Sequence, residues 1–387
     1  MSKRISTYKP LILNPKSKGG LRKLDKLLKT ANFVVDEIEG QMTELFQVRH
    51  PKILLSKITR SQLLDFKNSF YKERDKKFFG FWVYYPWNKH LVHFLHEELH
   101  TEIRTSRNRN LITKNEQDKF YNASIAIAGL SVGNSSVATL LYTGGPKNMR
   151  LADHDRLAAS NINRIRTTFT KVGQKKTDIV AQEIYEVNPY ANLKLYRNGL
   201  NIKNIRDFLL QPKPVDVLIE EMDNLFLKIQ IRLLARKYGI PVIMAADNGD
   251  NNILDIERFD LEPNQPLLHG DVPEEELLKI TPNTSKVDAA RIISRWVHPE
   301  NVMPRMQSSL LEIGNTLFTW PQLGSAAFLA GCTLAYTARK IILGEPIKHG
   351  KYVISLDDII NPEYKSDSFL RKRENQTEKF KKALNLN

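Results

Sequence analysis

Residues 124–176 constrain this chain more than any other stretch. Residues 124–128 read SIAIA, small and β-branched apolar residues that suit a buried strand, and Gly129 ends the run. After a turn over residues 129–134, Val137, Leu140 and Leu141 recur at helical spacing until Gly144-Gly145-Pro146 stops the helix. A second apolar run, 149–152, ends on Asp153. A strand, a glycine turn, a helix and a second strand tipped by an acid suit a nucleotide, with phosphates at the turn and ribose hydroxyls on the acid. The turn reads G-x-x-x-G rather than G-x-G-x-x-G, so taken alone it fits a structural turn as well as a phosphate loop.

The residues beyond Asp153 decide between the two. SNINR at 160–164 and VGQKK at 172–176 bring an amide, a guanidinium and an ammonium close behind the acid. Hydride transfer has no evident use for such a cluster. A site that holds a triphosphate does, because charge builds on the phosphates as the bond to pyrophosphate breaks.

With Met222-Asp223-Asn224 further on, these motifs resemble the ThiF-like adenylyltransferases, whose pattern is a glycine turn, an acid at the second strand's tip, S-N-L-x-R-Q, V-G-x-x-K and T-D-N. RNRNLIT at 107–113 is similar to the arginine segment that precedes the family's first strand. The resemblance implies a Rossmann-like α/β fold, a mainly parallel sheet with flanking helices. It also implies ATP and magnesium as cofactors. Gly129, Ser131, Val132 and Gly133 would form the phosphate turn and Asp153 would hold the ribose. Ser160, Asn161, Arg164 and Lys176 would line the triphosphate, and Asp223, beside Asn224, would carry magnesium. Arg109, with Arg107 as runner-up, would reach the ATP site of the other copy in a homodimer. Three departures stand out: Ser131, Val132 and Asn134 occupy places where further glycines are usual, Ile165 replaces the family glutamine, and no Cys-x-x-Cys pair exists for the structural zinc of many relatives.

The implied activity is ATP-dependent adenylation of a carboxylate, the C-terminus of a ubiquitin-like or sulfur-carrier protein or of a peptide. Two alternatives remain open. One is a tRNA threonylcarbamoyladenosine dehydratase-type enzyme, which the net charge of +15 would suit. The other is a module of the same fold that binds a nucleotide or NAD without turnover. The basic excess is spread over the N-terminal region, 165–176 and the tail, which suits a solvated surface better than one nucleic-acid patch.

The single cysteine, Cys332, excludes an intramolecular disulfide and agrees with a reducing, cytoplasmic setting. It stands in the apolar helical stretch AAFLAGCTLAY and is expected to be buried and inert. The start shows no leader pattern. The apolar run 326–338 is shorter than the roughly 20 residues that cross a bilayer, so no membrane partner is expected.

In order, residues 1–100 form a smaller α+β extension of unknown role, 101–345 the nucleotide-binding domain, and 346–387 a basic tail expected to fray. In the extension a leucine stripe at 21–28 and an apolar set at 63–70 predict helices, 32–35 a short strand, and the aromatic run 78–87 another. Leu91, Leu95, Leu99 and Ile103 repeat every four residues and predict an amphipathic helix. Asp223 stands at the end of the apolar strand 215–219, where it could hold magnesium or cap the following helix. Residues 247–252 read as a turn cluster, Glu274-Glu275-Glu276 as an acidic patch in a proline-rich crossover, and 308–318 and 320–343 as helices. His269 and His298 lack metal-ligand spacing.

Overall fold

The computed structural model describes residues 8–55, 59–72 and 75–386. The first seven residues of the stretch inspected for a leader lie outside the described residues. The chain divides into two compact units: residues up to Tyr121 with 143–147 and 181–192, and residues 122–142, 148–180 and 193 onward.

In the first unit, β1 (Leu11–Leu13), β2 (Phe33–Val35), β3 (Phe81–Tyr85) and β4 (His90–Phe94) form a sheet in the order β1-β3-β4-β2. β3 is the aromatic run, paired antiparallel to β1 and β4, with Trp82, Val83 and Tyr85 buried. The helix Lys18–Thr30 buries Leu24 with Leu13, Trp82 and Leu91. The helix Ile38–Arg49 was not anticipated, although Ile38, Met42, Leu45 and Phe46, all buried, carry helical spacing. The four-residue repeat from Leu91 misled in the other direction. Leu91 lies in β4, and only Glu97–Arg104 is helical. A spacing of four is also twice the strand period, so one residue from a strand can join a helical series.

The second unit holds a seven-stranded sheet of β5 (Ser124–Ala128), β6 (Asn148–Ala152), β7 (Asn192–Tyr196), β8 (Val217–Glu220), β9 (Val242–Asn248), β10 (Asn251–Glu257) and β11 (Gly350–Ile354). The order is β11-β10-β9-β8-β5-β6-β7. β6, β5, β8 and β9 run parallel, so their carboxyl ends share one edge, while β10 and β11 are antiparallel additions. On one face Ala126, Leu218, Val242 and Met244 join Ile229 of the helix Leu225–Lys237 and Trp296 in the main core. Alternation turns Ile127 to the other face, under the helix Val132–Tyr142. The helix Gly324–Leu343 packs on that helix through Gly331, where a Cβ would lie 2.6 Å from the Ser135 carbonyl carbon.

Three expectations about the C-terminal third are corrected. The tail is ordered: β11 closes the sheet, and the helix Asp367–Ala383 buries Thr377 and Phe380, with Gln307 Nε2 donating to Thr377 Oγ1 at 3.0 Å. Its charges occupy the outer face, which hid the apolar one. The helix expected at 308–318 is Pro304–Leu311. Cys332 is exposed, because the buried stripe Ala327, Ala330, Gly331, Leu334 and Ala338 turns it outward with Phe328 and Tyr336. The helix Gly324–Leu343 is the one helix among the described residues long and apolar enough to cross a membrane by length and composition, and 56% of that window is buried within the protein.

Candidate active site

The site grows from the carboxyl ends of β5, β6 and β8. Gly129 leaves β5 with φ +92°, and a Cβ there would lie 2.3 Å from the Glu221 carbonyl oxygen. Only glycine lets the two strand exits meet so closely. Glu221 N–H also donates to the Ala128 carbonyl at 2.7 Å, so the backbone leading to Asp223 rests on the turn. Leu130 N–H donates to Asp153 Oδ2 at 2.8 Å, and Asp155 N–H to Asp153 Oδ1 at 2.7 Å. The acid at the tip of β6 thereby shapes the turn. Lys176, nearly buried at the start of the helix Lys176–Val187, puts Nζ 2.8 Å from Asp155 Oδ2 and 3.8 Å from Asp153 Oδ2. Burial pushes the Asp155 carboxyl up, but the hydrogen bond and charge of Lys176 outweigh it and hold it below its ordinary value.

Arg164 arrives from the 160–166 segment. Its Nε donates to Ser131 Oγ at 3.0 Å, and its Nη1 to Asn163 Oδ1 at 3.0 Å and the Ser160 carbonyl at 3.4 Å. Asn134 Oδ1 accepts from Arg166 N–H at 3.2 Å. The non-glycine residues of the turn are therefore the ties that fasten it to this segment. Ile165 anchors the segment from below, packed with Leu157, Ile162 and Ile179. Asn161 Oδ1 accepts from Ala158 N–H at 3.1 Å and shapes the short turn Ala159–Asn163.

On β8 the choice between cap and ligand resolves by one residue. Asn224 caps the helix Leu225–Lys237, its Oδ1 accepting from Leu227 N–H at 2.9 Å, and Asp223 stays exposed. The exit of β8 is braced by a buried ion network. Glu220 Oε1 accepts from Met222 N–H at 2.8 Å, and its Oε2 takes Lys228 Nζ at 3.0 Å and Arg232 Nη1. Arg232 Nε donates to Glu257 Oε2 at 2.6 Å, and Arg232 is 0% exposed. Burial pushes Glu220 up, but Lys228 and Arg232 overcome it and keep it below its usual value. Glu221 has no such pairing: burial holds it well above, with Lys228 and the Ala245 amide opposing.

Asp247, at the end of β9, is the acid that the sequence did not single out. Gln322 Nε2 donates to its Oδ2 at 2.9 Å, and Asn163 Nδ2 donates to the Gln322 carbonyl at 2.8 Å. Burial raises Asp247 to about 6, against the pull of Gln322 and Arg164. Arg164 is lowered by burial and supported by the charges of Asp247 and then Asp223, so all three groups share one electrostatic neighbourhood. Gln322 is far along the chain and carried no signal; Asp247 was visible only as one member of a polar turn.

Gly129, Ser131, Asp153, Arg164, Lys176 and Asp223 thus gather around the amino end of the helix Val132–Tyr142, where Val132 and Gly133 stand in its first turn. Its free N–H groups favour an anion. Arg109 belongs to the other unit, where its Nη1 donates to the Val48 carbonyl at 3.1 Å and its Nη2 lies 4.0 Å from Glu102. Asp153, His154 and Asp155 hold their ligand atoms within 4.8 Å of one another, a grouping with metal-site spacing. The Lys176 ammonium already sits against both carboxylates, so the cluster fits hydroxyl recognition better than a cation. Two of the acidic trio pair within the protein, Glu274 with Arg236 and Glu276 with Arg295, and Glu275 is exposed.

The chain is 34% identical over 270 residues to uncharacterized protein MT1398 of Mycobacterium tuberculosis (strain CDC 1551 / Oshkosh), covering 70% of this chain and 37% of that one. It is 28% identical over 160 residues to the tRNA threonylcarbamoyladenosine dehydratase of Bacillus subtilis (strain 168), covering 40% and 60%. The chain therefore spans less than two thirds of the length of either relative. Among solved structures, E. coli MccB with ATP superposes with a TM-score of 0.46 at 18% identity over 82% of this chain and 84% of that one. The model of the ThiF family matches residues 105–361, and the chain belongs to that family.

Proposed function

We propose that this protein adenylates a carboxylate with ATP, the acyl group being the C-terminus of a small carrier protein or a peptide. One substrate carboxylate oxygen attacks the α-phosphorus, the bond from that phosphorus to the bridging oxygen breaks, and pyrophosphate leaves with the electron pair. The observation that carries the reading is the convergence on one turn: Arg164 on Ser131, and Lys176 beside Asp153, the acid that holds Leu130 N–H. Asp153 and Asp155 would accept from the ribose hydroxyls. Arg164 and the amino end of the helix Val132–Tyr142 would oppose charge on the departing phosphates, the contribution that preorganised donors make best. Asp223, exposed and not used as a cap, fits magnesium, which binds through one or two carboxylates plus substrate phosphates. That ion would supply neutralisation of phosphate oxygens.

ATP–pyrophosphate exchange tests the proposal. Removing one electrostatic contact of this kind costs on the order of a hundredfold in rate, so Arg164→Ala and Asp223→Ala should each abolish measurable exchange while melting normally. Near-normal exchange in both would defeat the assignment. The proposal extends to a homodimer in which Arg109 serves the other copy's phosphates. Mixed Arg109→Ala and Arg164→Ala copies should then recover exchange that neither has alone, and no recovery would remove Arg109 from the site. The dehydratase relatives and the +15 charge support tRNA as the competing substrate, for which binding should weaken steeply with salt.

A further inference from the structure

The helix Gly324–Leu343 meets the site at its amino end. The chain comes to it from the exposed stretch 312–320, where only Leu317 is partly covered, and Gln322 is where it becomes anchored. On one side Gln322 Nε2 donates to Asp247 Oδ2 at 2.9 Å, and three residues on Ser325 Oγ donates to Asp250 Oδ1 at 2.6 Å in the turn between β9 and β10. On the other side the Gln322 carbonyl accepts from Asn163 Nδ2 at 2.8 Å, and a Cβ on Gly324 would lie 2.6 Å from the Asn163 carbonyl oxygen. Residues 322–325 are therefore wedged between the β9–β10 hairpin and the segment that carries Arg164.

The side chain of Asn163 carries that grip forward. Its Nδ2 is engaged by Gln322, its Oδ1 accepts from Arg164 Nη1 at 3.0 Å, and Arg164 Nε reaches Ser131 Oγ at 3.0 Å. The amide is planar, so fixing the donor end also aims the acceptor end at the guanidinium. A relay thus runs from Asp247 through Gln322, Asn163 and Arg164 to Ser131, joining the end of β9 to the phosphate turn. Charge acts in the same direction. Burial works against the Arg164 charge, while Asp247, ahead of Asp223, works for it. Gln322 accordingly holds a carboxylate near the guanidinium and, through Asn163, holds the guanidinium on the turn. Misplacing a reacting or binding group by about 1 Å can cost two orders of magnitude in rate, so a contact two steps removed from Ser131 bears on how Arg164 performs.

We propose that Gln322 is a positioning residue for Arg164, a latch through which the start of the helix Gly324–Leu343 sets the phosphate-facing arginine without touching the nucleotide. This rests on the nucleotide reading of the site. Calorimetric titration with ATP and AMP tests it. One hydrogen bond is worth roughly two- to tenfold, and Ser131 still holds Arg164 Nε in Gln322→Leu, so that variant should bind ATP about fivefold more weakly and AMP within about twofold of the native protein. Gln322→Glu sets two carboxylates against each other and should weaken ATP at least as much. Adding Asp247→Asn to Gln322→Glu rebuilds the bond with donor and acceptor exchanged and restores a single negative charge, so the pair should recover ATP affinity to within about twofold of native. In an Arg164→Ala protein, Gln322→Leu should weaken ATP no further, because its effect runs through the guanidinium. A tie that only steadied the helix would move both nucleotides together. Unchanged ATP affinity in Gln322→Leu, equal losses for ATP and AMP, the full loss repeated on Arg164→Ala, or an exchanged pair no better than Gln322→Glu alone overturns the proposal. ATP–pyrophosphate exchange on the same proteins keeps this apart from the adenylation reading: a native protein that binds ATP without exchange refutes adenylation while the titrations still decide the latch, and no ATP binding sinks both.

Discussion

Removal of the Arg164 guanidinium should separate ATP from AMP. The side chain is half-buried and tethered at Nε by Ser131 and at Nη1 by Asn163, so it is held over the turn before any nucleotide arrives. A unit charge 4 Å from a phosphate oxygen is worth about 4 kcal/mol in a partly shielded setting and about 1 kcal/mol in water. Half exposure places the value near 2 kcal/mol, roughly thirtyfold in affinity for a ligand whose β- and γ-phosphates lie there. AMP lacks those phosphates and should lose only about threefold on the same scale. The tethers join polar groups near the surface, and their loss should cost about 1 kcal/mol of stability or less.

Calorimetric titration of the native protein, Arg164→Ala and Arg164→Lys with both nucleotides reads these differences directly. Lysine keeps the charge but loses the planar fork that engages Ser131 and Asn163 together, so it should fall between the other two. Equal losses for ATP and AMP would refute the placement of Arg164 over the outer phosphates. So would an ATP loss below about threefold in a protein that melts normally, because that leaves no room for even the water-screened interaction.

The remaining predictions concern the frame around the site. Arg232→Met should lower stability by about 3–5 kcal/mol, because it leaves Glu220 and Glu257 buried without their shared cation; a urea midpoint close to the native one would show that the network carries little. Asp247→Asn should raise the melting temperature at neutral pH and leave it unchanged near pH 4. The native carboxyl binds its proton more tightly folded, at about 6 against 3.8 unfolded, so its favourable contribution is complete below 3.8 and lost as pH rises through about 6. Parallel melting curves for the two proteins from pH 4 to 8 would contradict that sign.

The nucleotide half of the site was legible because each of its residues is fixed by local chain geometry. Gly129 ends a strand, Asp153 tips the next one, and Lys176 opens a helix; such positions follow from period and punctuation in a single stretch. Asp247 and Gln322 were not legible for the opposite reason. Their contact joins the end of one strand to the approach of a helix far along the chain, and neither position breaks a local pattern. The same holds for Cys332, which stands in a mostly apolar stretch of sequence while only one stripe of that helix meets the core. The tail was misread because a helix that buries Thr377 and Phe380 among many charges scores as polar throughout.

The departures from the glycine-rich turn bear on how the site works. A turn with several glycines is shaped by its own backbone freedom, and it pays entropy to order around phosphate. Here Ser131 and Asn134 replace that freedom with two hydrogen bonds to the 160–166 segment, and Ile165 plants the segment in an apolar nest. The turn and the arginine that faces it are consequently one rigid piece. Ser131→Gly should therefore loosen Arg164 as well as the turn, weakening ATP more than AMP in the direction of Arg164→Ala but by less. If it bound both nucleotides as the native protein does, the Ser131 hydroxyl would be ornament and the turn would owe its shape to Gly129 and Asp153 alone.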